Sequence, residues 1–195
     1  MAYLTEQEVR ARAERVTRRL QKSAGRILSE ATAALADERF DVFLSHSSAE
    51  PEDILLGVVA LLEDRGLSVY VDKYSDPHLS PERVTRETAE ILRYRMRCSN
   101  TLLYVHSQYS KKSRWMPWEL GFFDGLKGSV GIIPITRNQE EAFKGEEYLN
   151  LYPHVDIETS RETKKRELWI TEAADTYASL ARWAKGTAKI RKRVN

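Results

Sequence analysis

The sequence is poor in the residues that build disulfides, zinc clusters and phosphate-binding loops. Cys98 is the single cysteine among 195 residues, so no internal disulfide can form and a reducing compartment is expected. No His/Glu pair stands at metal-ligand spacing, so no metal site is expected. Gly121, Gly125 and Gly128 do not form a Gly-x-Gly-x-x-Gly motif and do not open a helix after a strand. The sequence therefore lacks the usual dinucleotide-binding fingerprint.

Long apolar runs and an excess of charge of one sign are also absent. The longest strongly apolar run covers residues 54–62 and contains a glycine, whereas a membrane span needs ~20 residues. The first residues become charged at once, without the apolar region of a secretory signal. We therefore expect a cytoplasmic protein with no membrane partner. The 31 basic and 29 acidic residues are mixed and leave a net charge of +2, which argues against nucleic acid as a partner.

What is present begins with a helical pattern over residues 5–36. This segment contains no proline and one glycine, Gly25, and its apolar residues follow an approximate 3,4 spacing. The pattern predicts one long helix, which forms an N-terminal extension over residues 1–38. Two interpretations stay open: a coiled-coil or self-association helix, and an amphipathic helix packed on its own domain.

From residue 40 onward, short apolar runs alternate with helical patterns. Strands are predicted at residues 40–45, 67–71, 101–105 and 130–135, with a short fifth strand near 155–157. Helices are predicted at residues 52–65, 81–96, 114–126 and 161–185, and a basic tail covers 188–195. The alternation predicts an α/β domain over residues 39–187, with a parallel sheet of about five strands and helices on both faces.

Polar segments follow three of the predicted strands. They are residues 45–48, 72–77 and 106–115. Ligands bind beyond the carboxyl ends of parallel strands, so these segments should converge on one crevice. Ser45, His46 and Ser48 are candidates for binding phosphate or ribose. Asp72 and Lys73 could face the same crevice, although surface charge explains them equally well.

The strongest candidate for chemistry is Glu119, which follows Trp115 by four residues inside an aromatic and aliphatic run. Four residues make one helical turn, so the two side chains should share a face. A carboxylate beside a flat aromatic ring suits chemistry on a flat, cationic or sugar-linked ring. The alternatives are a solvated carboxylate in the first turns of a helix and a tryptophan that belongs to the core.

Several of these segments together resemble one family. Residues 40–46 (Phe-Asp-Val-Phe-Leu-Ser-His), 66–72 (Gly-Leu-Ser-Val-Tyr-Val-Asp) and 130–135 resemble strands of TIR (Toll/interleukin-1 receptor) domains. Residues 113–120 are similar to the Ser-x-Trp-x-x-x-Glu-Leu segment of NAD-consuming TIR domains. Met116 stands where that family often has cysteine, and Pro117 is unusual there. The resemblance covers roughly residues 40–185 and leaves the N-terminal helix outside.

The resemblance implies a flavodoxin-like fold and an enzyme that cleaves the nicotinamide–ribose bond of NAD+ with Glu119. Trp115, Ser45, His46, Ser48, Asp72 and Lys73 would then bind this substrate, and no cofactor would be needed. The products would be nicotinamide and either ADP-ribose or a cyclic ADP-ribose isomer, in bacterial anti-phage signalling. The family often assembles through the loop after its second strand, here residues 74–81, so a homo-oligomer is expected, with the N-terminal helix as a second possible contributor.

One carboxylate is chemically sufficient for this reaction. Ordinary glycosidases need a second carboxyl group as the acid that protonates the leaving oxygen. The nicotinamide of NAD+ is already cationic and leaves as a neutral base, so that acid is not required. The lack of a second carboxyl group to act with Glu119 therefore does not count against the hypothesis.

Two other functions remain compatible with the same residues. Adaptor-type TIR domains share the fold without catalysis and act as protein–protein interaction modules. A nucleoside deoxyribosyltransferase-like enzyme also uses a glutamate on a related fold. Glu119 together with Trp115 favours the enzyme over the interaction module, and the opening of residues 40–46 disfavours the transferase.

Overall fold

A computed structural model of the protein describes residues 2–33, 39–71, 86–138, 141, 143, 145–160 and 163–192. The described strands are β1 Leu4–Thr5, β2 Phe40–Ser45, β3 Val69–Val71, β4 Ser99–His106, β5 Val130–Thr136, β6 His154–Thr159, β7 Arg166–Ala173, β8 Thr176–Ser179 and β9 Arg191–Lys192. The described helices are α1 Glu6–Leu20, α2 Ala24–Ala33, α3 Glu52–Glu63, α4 Arg86–Arg97, α5 Trp115–Lys127 and α6 Leu180–Ala184, with 3-10 turns at Ser110–Lys112 and Glu147–Leu151.

Five parallel strands form the centre of the sheet in the order β3-β2-β4-β5-β6. Counted from β2, this is the doubly wound order of flavodoxin-like folds, in which ligands bind at the carboxyl edge. Ser45 at the end of β2 lies opposite Tyr104 of β4, and His106 lies opposite Pro134 of β5. The structure thus confirms the predicted α/β fold with its parallel sheet.

Two apolar layers cover the two faces of this sheet. Val42 and Leu44 of β2 point into the layer shared with α1 and α3. Phe43, between them, points into the layer that contains Leu92 of α4 and Phe123 of α5. This period of two is the ordinary geometry of a strand buried on both faces. Helices therefore lie on both faces, as predicted, and Glu119 belongs to a helix on the second face.

The N-terminal segment forms two helices, so the prediction of one continuous helix over residues 5–36 is wrong. The chain leaves α1 at Gln21, whose φ of 53° is left-handed, and α2 begins at Ala24. Apolar spacing alone did not reveal this break because it continues across both helices. The buried residues of α1 are Val9, Ala13 and Val16, and they pack in the same layer as α3. Of the two interpretations left open, packing on its own domain is the arrangement observed.

The approach of α1 to α3 depends on a glycine. A Cβ added at Gly57 of α3 would lie 2.1 Å from the carbonyl oxygen of Val9. No side chain fits at that distance, so glycine permits the backbones of the two helices to approach each other closely. The chain before α1 is also part of the domain, because β1 pairs with the end of β5 and Ile157 donates a hydrogen bond to the carbonyl of Ala2.

The predicted helix over residues 161–185 is also wrong. Residues 166–179 form the antiparallel strands β7 and β8, which extend the sheet beyond β6, and a short helix α6 follows. In β7, Leu168 and Ile170 are buried while their neighbours are less so, which is strand periodicity. Arg191 and Lys192 of the basic tail form β9, which pairs with β8.

Other predictions agree or fall outside the described residues. The fifth strand predicted near residues 155–157 is β6. The helix predicted from residue 81 is α4, which the structure describes from Arg86 onward. Its predicted start lies outside the described residues. So do the loop at residues 74–81 and the candidate residues Asp72 and Lys73. None of the described helices is long and apolar enough to cross a membrane.

Candidate active site

Glu119 is the fifth residue of α5 and is almost completely buried, with 1% of its surface exposed. Before the helix, the Ser113 hydroxyl accepts a hydrogen bond from the Met116 N–H at 3.3 Å. Pro117 falls in the first turn, where a backbone N–H has no helical partner in any case, so proline is tolerated there. Gly128, at a φ of 65°, ends the helix. The local sequence thus places the carboxylate one turn inside a well-defined helix.

Ser45 contacts this carboxylate directly. Its hydroxyl donates a hydrogen bond of 2.6 Å to Oε2 of Glu119, and Ser45 is itself completely buried. The two residues are 74 positions apart, and they meet because β2 ends and α5 begins at the same edge of the sheet. A short hydrogen bond to a carboxylate holds it in one orientation. The structure therefore brings together two of the residues that the sequence singled out.

Tyr104 of β4 is a neighbour of this pair that the sequence analysis missed. Burial is the main cause that raises the pKa of its phenol, and the nearby Tyr148 and the Glu119 carboxylate raise this pKa further. Tyr148 shares a hydrogen bond with Tyr104 and remains 37% exposed. A neutral phenol beside a carboxylate can donate or accept a hydrogen bond. Its one sequence signal was a hydroxyl near the carboxyl end of an otherwise apolar strand.

His46 and Ser48 follow Ser45 in the same loop but lie in different surroundings. His46 is buried, and its Nδ1 lies 2.9 Å from the carbonyl oxygen of Ser47. Because a carbonyl can only accept, Nδ1 carries the hydrogen and donates it. Ser48 is exposed. His46 is therefore positioned by the loop itself, while Ser48 faces solvent.

Trp115 starts α5 and is half-buried against the aromatic layer of the second face. Its ring lies edge-to-face against Trp118, with the centroids 5.2 Å apart. Trp118 in turn stacks on Phe122 at 5.8 Å, and the Arg93 guanidinium lies 5.5 Å from the Trp118 ring. Trp115 combines core packing with partial exposure, so its role toward substrate stays a prediction.

A second buried carboxylate, Glu50, lies near these segments. It is 3% exposed, and its Oε2 accepts a hydrogen bond of 2.7 Å from the Ser107 hydroxyl. Burial raises its pKa to about 7, so both protonation states are accessible near neutrality. Glu50 was not predicted from the sequence, because an acidic residue just before a predicted helix looks like an ordinary surface residue.

The groups around Glu119 determine what chemistry the site can support. In the part of the chain that the structure describes, no group of three His, Cys, Asp or Glu side chains is placed to hold an ion. The Glu119 carboxylate, oriented by the Ser45 hydroxyl and close enough to Tyr104 to influence its phenol, can face a developing positive charge. Such an arrangement is suited to stabilising a cationic transition state at a sugar carbon.

A search of known proteins gave a relative that decides the family. The chain is 41% identical over 145 residues to the probable 3' cyclic ADP-D-ribose synthase ThsB' of Bacillus cereus (strain MSX-D12). The match covers 74% of this chain and 75% of that protein. The chain belongs to the NAD+-consuming TIR family. No protein-family model matches it.

Two further TIR-family relatives match more weakly. The probable 2' cyclic ADP-D-ribose synthase TcpO of Methanobrevibacter olleyae is 29% identical over 115 residues, which are 55% of this chain and 31% of that protein. The putative cyclic ADP-D-ribose synthase TIR2 of Cytobacillus dafuensis is 29% identical over 102 residues, which are 52% of this chain and 27% of that protein. The chain thus spans about a third or less of these two proteins.

The family assignment gives meaning to one departure noted in the sequence. Met116, in the place where TIR enzymes often have cysteine, is completely buried in the aromatic layer of the second face. It therefore fills core volume beside Leu120 and does not alter the polar groups around Glu119.

Proposed function

We propose that this protein cleaves the nicotinamide–ribose bond of NAD+ and that it releases ADP-ribose or closes it into a cyclic ADP-D-ribose isomer. The observation that carries the proposal is the hydrogen bond between Ser45 and the buried carboxylate of Glu119 at the carboxyl edge of the parallel sheet. The names of three relatives, all cyclic ADP-D-ribose synthases, support the same chemistry. NAD+ is the substrate in this proposal, and no cofactor is required.

The reaction follows from the charges involved. The bond between the ribose carbon and the pyridinium nitrogen breaks, and its electron pair leaves with nicotinamide, which becomes neutral. The positive charge passes to the ribose carbon and its ring oxygen, where the Glu119 carboxylate stabilises it. Ser45 holds that carboxylate in place, so little reorganisation is needed during the reaction. Water then yields ADP-ribose, whereas an internal nucleophile of the same molecule yields a cyclic product, and either nucleophile loses one proton.

The other residues predicted from the sequence take supporting roles in this proposal. Trp115 stacks on the nicotinamide or adenine ring, while Ser45, His46 and Ser48 bind ribose or phosphate. Asp72 and Lys73, which lie outside the described residues, also bind the substrate in this proposal. The reaction takes place in the cytoplasm, as part of bacterial anti-phage signalling.

The test compares NAD+ consumption by the wild-type protein and by Glu119→Gln. We expect Glu119→Gln to lower the turnover rate by about a thousandfold, because a neutral amide cannot balance the charge that develops. Ser45→Ala should lower it by about tenfold to a hundredfold, since the carboxylate remains but loses its orientation. Product chromatography of the wild-type reaction separates ADP-ribose from a cyclic isomer.

A control variant checks that losses of activity are not losses of folding. Gly125→Ala lies on the same helix, where an added Cβ meets nothing within 4 Å, and should leave turnover unchanged. An equal rate for wild type and Glu119→Gln would contradict the proposed role of Glu119. Absence of NAD+ turnover by wild type at every concentration would instead favour the interaction module.

We also propose that the active form is a homo-oligomer. The apolar residues of α1 are buried against α3 of the same chain, which supports assembly through the TIR domain surface over assembly through this helix. No nucleic acid and no membrane is part of the proposed assembly.

A further inference from the structure

No step of the proposed reaction uses the buried carboxyl group of Glu50. Glu50 ends the loop that begins at Ser45, and its backbone N–H donates to the carbonyl of Ser47 at 2.9 Å. That carbonyl also accepts the hydrogen bond from His46, and the Ser47 hydroxyl accepts one from the Ala49 N–H at 3.2 Å. The loop from Ser45 to Glu50 is therefore a single hydrogen-bonded unit, and Glu50 is its far end.

The side chain of Glu50 reaches the loop that follows β4. Its partner Ser107 uses the hydroxyl as a donor to Glu50 and as an acceptor from the Tyr109 N–H at 3.0 Å. The Ser107 carbonyl accepts from the Ser110 hydroxyl at 2.8 Å, and the Ser113 N–H donates to the carbonyl of Ser110 at 3.0 Å. Ser113 leads directly into α5, so this second loop is continuous with the helix that carries Glu119.

Two hydrogen bonds thus join the same pair of segments. One is the bond between Ser45 and Glu119 inside the site, and the other is the bond between Glu50 and Ser107 behind it. Removing the second bond frees one end of both loops and lets the first bond change its length or direction. A displacement of about 1 Å at reacting groups can lower a rate by about a hundredfold.

Charged groups of α1 and of its own loop act on Glu50. From α1, Glu6 raises its pKa and Arg10 lowers it, and from its own loop His46 lowers it. Arg10 is shared, because it pairs with Glu6 at 3.5 Å and with Asp53 of α3. Across the second loop, Gln108 donates to Glu6 at 2.8 Å. In the described part of the chain, Oε1 of Glu50 is buried without a hydrogen-bond partner.

We propose that Glu50 is a positioning residue of this site, whose ionised carboxylate holds the Ser45 loop against the segment that leads into the Glu119 helix. The inference rests on the proposed NAD+ cleavage and adds a residue that touches neither substrate nor Glu119. A charged acceptor forms a stronger hydrogen bond than a neutral one, so protonation of Glu50 loosens the link to Ser107. The hydrogen bond between Glu50 and Ser107 is therefore strong above neutral pH and weaker below it.

The decisive experiment measures kcat/KM for NAD+ from about pH 6 to about pH 8 in wild type and Glu50→Gln, which brackets the pKa of about 7. Wild-type kcat/KM should rise through this range. Glu50→Gln keeps a neutral acceptor of the same shape, so it should lack this rise and match wild type at the acid end. At about pH 8 it should be lower by about tenfold. A rise that persists unchanged in Glu50→Gln overturns the inference.

A second variant tests the link from its other end. Ser107→Ala leaves the carboxylate but removes the hydrogen bond that lowers the pKa of Glu50. The rise in kcat/KM should therefore be lost, because the ionised Glu50 has no hydroxyl left to hold, and the rate at about pH 8 should fall to that of Glu50→Gln. A rise of wild-type size in Ser107→Ala contradicts the inference even if the overall rate falls.

Unfolding temperatures separate positioning from a general role in stability. The folded-state pKa of Glu50 lies above its ordinary value of 4.5, so burial of the charge costs stability above about pH 7. Glu50→Gln should then unfold at no lower temperature than wild type at about pH 8 while being less active. Loss of both stability and activity at that pH would mean a structural role and would overturn the inference.

Asp156→Asn is the matched control. Asp156 is also a buried carboxyl group with a raised pKa and a hydroxyl partner, Thr171, but it lies on β6 away from both loops. Its pH profile of activity should be that of wild type. If wild type consumes no NAD+, the proposed function fails and this inference fails with it. If wild type is active and Glu50→Gln behaves like Asp156→Asn, only the inference fails.

Discussion

Single buried carboxyl groups set the pH dependence of stability. Asp156 is 2% exposed, and burial raises its pKa to about 6 from an ordinary value of 3.8, with Glu158 raising it further. The folded state therefore holds a proton that the unfolded state has lost between these two values. The contribution of Asp156 to stability is therefore greatest below about pH 4, falls as the pH rises through this window, and stays lower above about pH 6.

We expect Asp156→Asn to raise the unfolding temperature by about 5 °C at neutral pH, since the amide removes the cost of a buried charge. Near pH 4 the two proteins should unfold at the same temperature. Thermal melts followed by circular dichroism at both pH values measure this. A lower unfolding temperature at neutral pH would show that the Asp156 carboxylate is held by a partner that an amide cannot satisfy.

Between helices, the contact of α1 with α3 is the closest packing that the described residues show for the N-terminal segment. Gly57→Ala should destabilise the protein by about 1–3 kcal/mol, because the new methyl group meets the backbone of Val9 and the helices must separate. Urea unfolding of the full chain measures the change. Gly125→Ala, in open space on α5, is the control and should be neutral or stabilising by about 0.5–1 kcal/mol. Equal stability of both variants would mean that α1 is not held tightly.

The helices and strands differ in how well local sequence patterns predict them. The strands β2 and β4 and the helix α5 carry clear periods and turn residues, so their positions were predicted within a few residues. The strands at residues 166–179 were not predicted, because the charged residues of this segment suit a helix locally. Their pairing with β6 decides the matter, since it buries Leu168 and Ile170 and satisfies the backbone of the β6 edge.

For the whole molecule, the proposed assembly gives a prediction about concentration. If neighbouring TIR domains complete the site, turnover per molecule should fall by about tenfold or more across a hundredfold dilution, by mass action. Light scattering of the same samples should show the oligomer dissociating over the same range. Constant turnover per molecule, with a monomer throughout, would contradict the proposal of an active oligomer.

The sequence by itself determined the type of fold and singled out Glu119 as the candidate for chemistry. Alternating strand and helix periods require a parallel sheet, and a carboxylate one turn after Trp115 can be recognised without knowing what surrounds it. Both depend on interactions between residues a few positions apart, which the order of residues records directly.

Only the tertiary structure decided what surrounds Glu119. Ser45 lies 74 positions away, and Glu50 meets Ser107 across 57 positions. The raised pKa of Glu50 comes from burial beneath α1 and the two loops, and burial is a property of the packed chain. The hydrogen bonds and the desolvation that tune this site arise from distant segments meeting at one edge of the sheet, and no local pattern contains them.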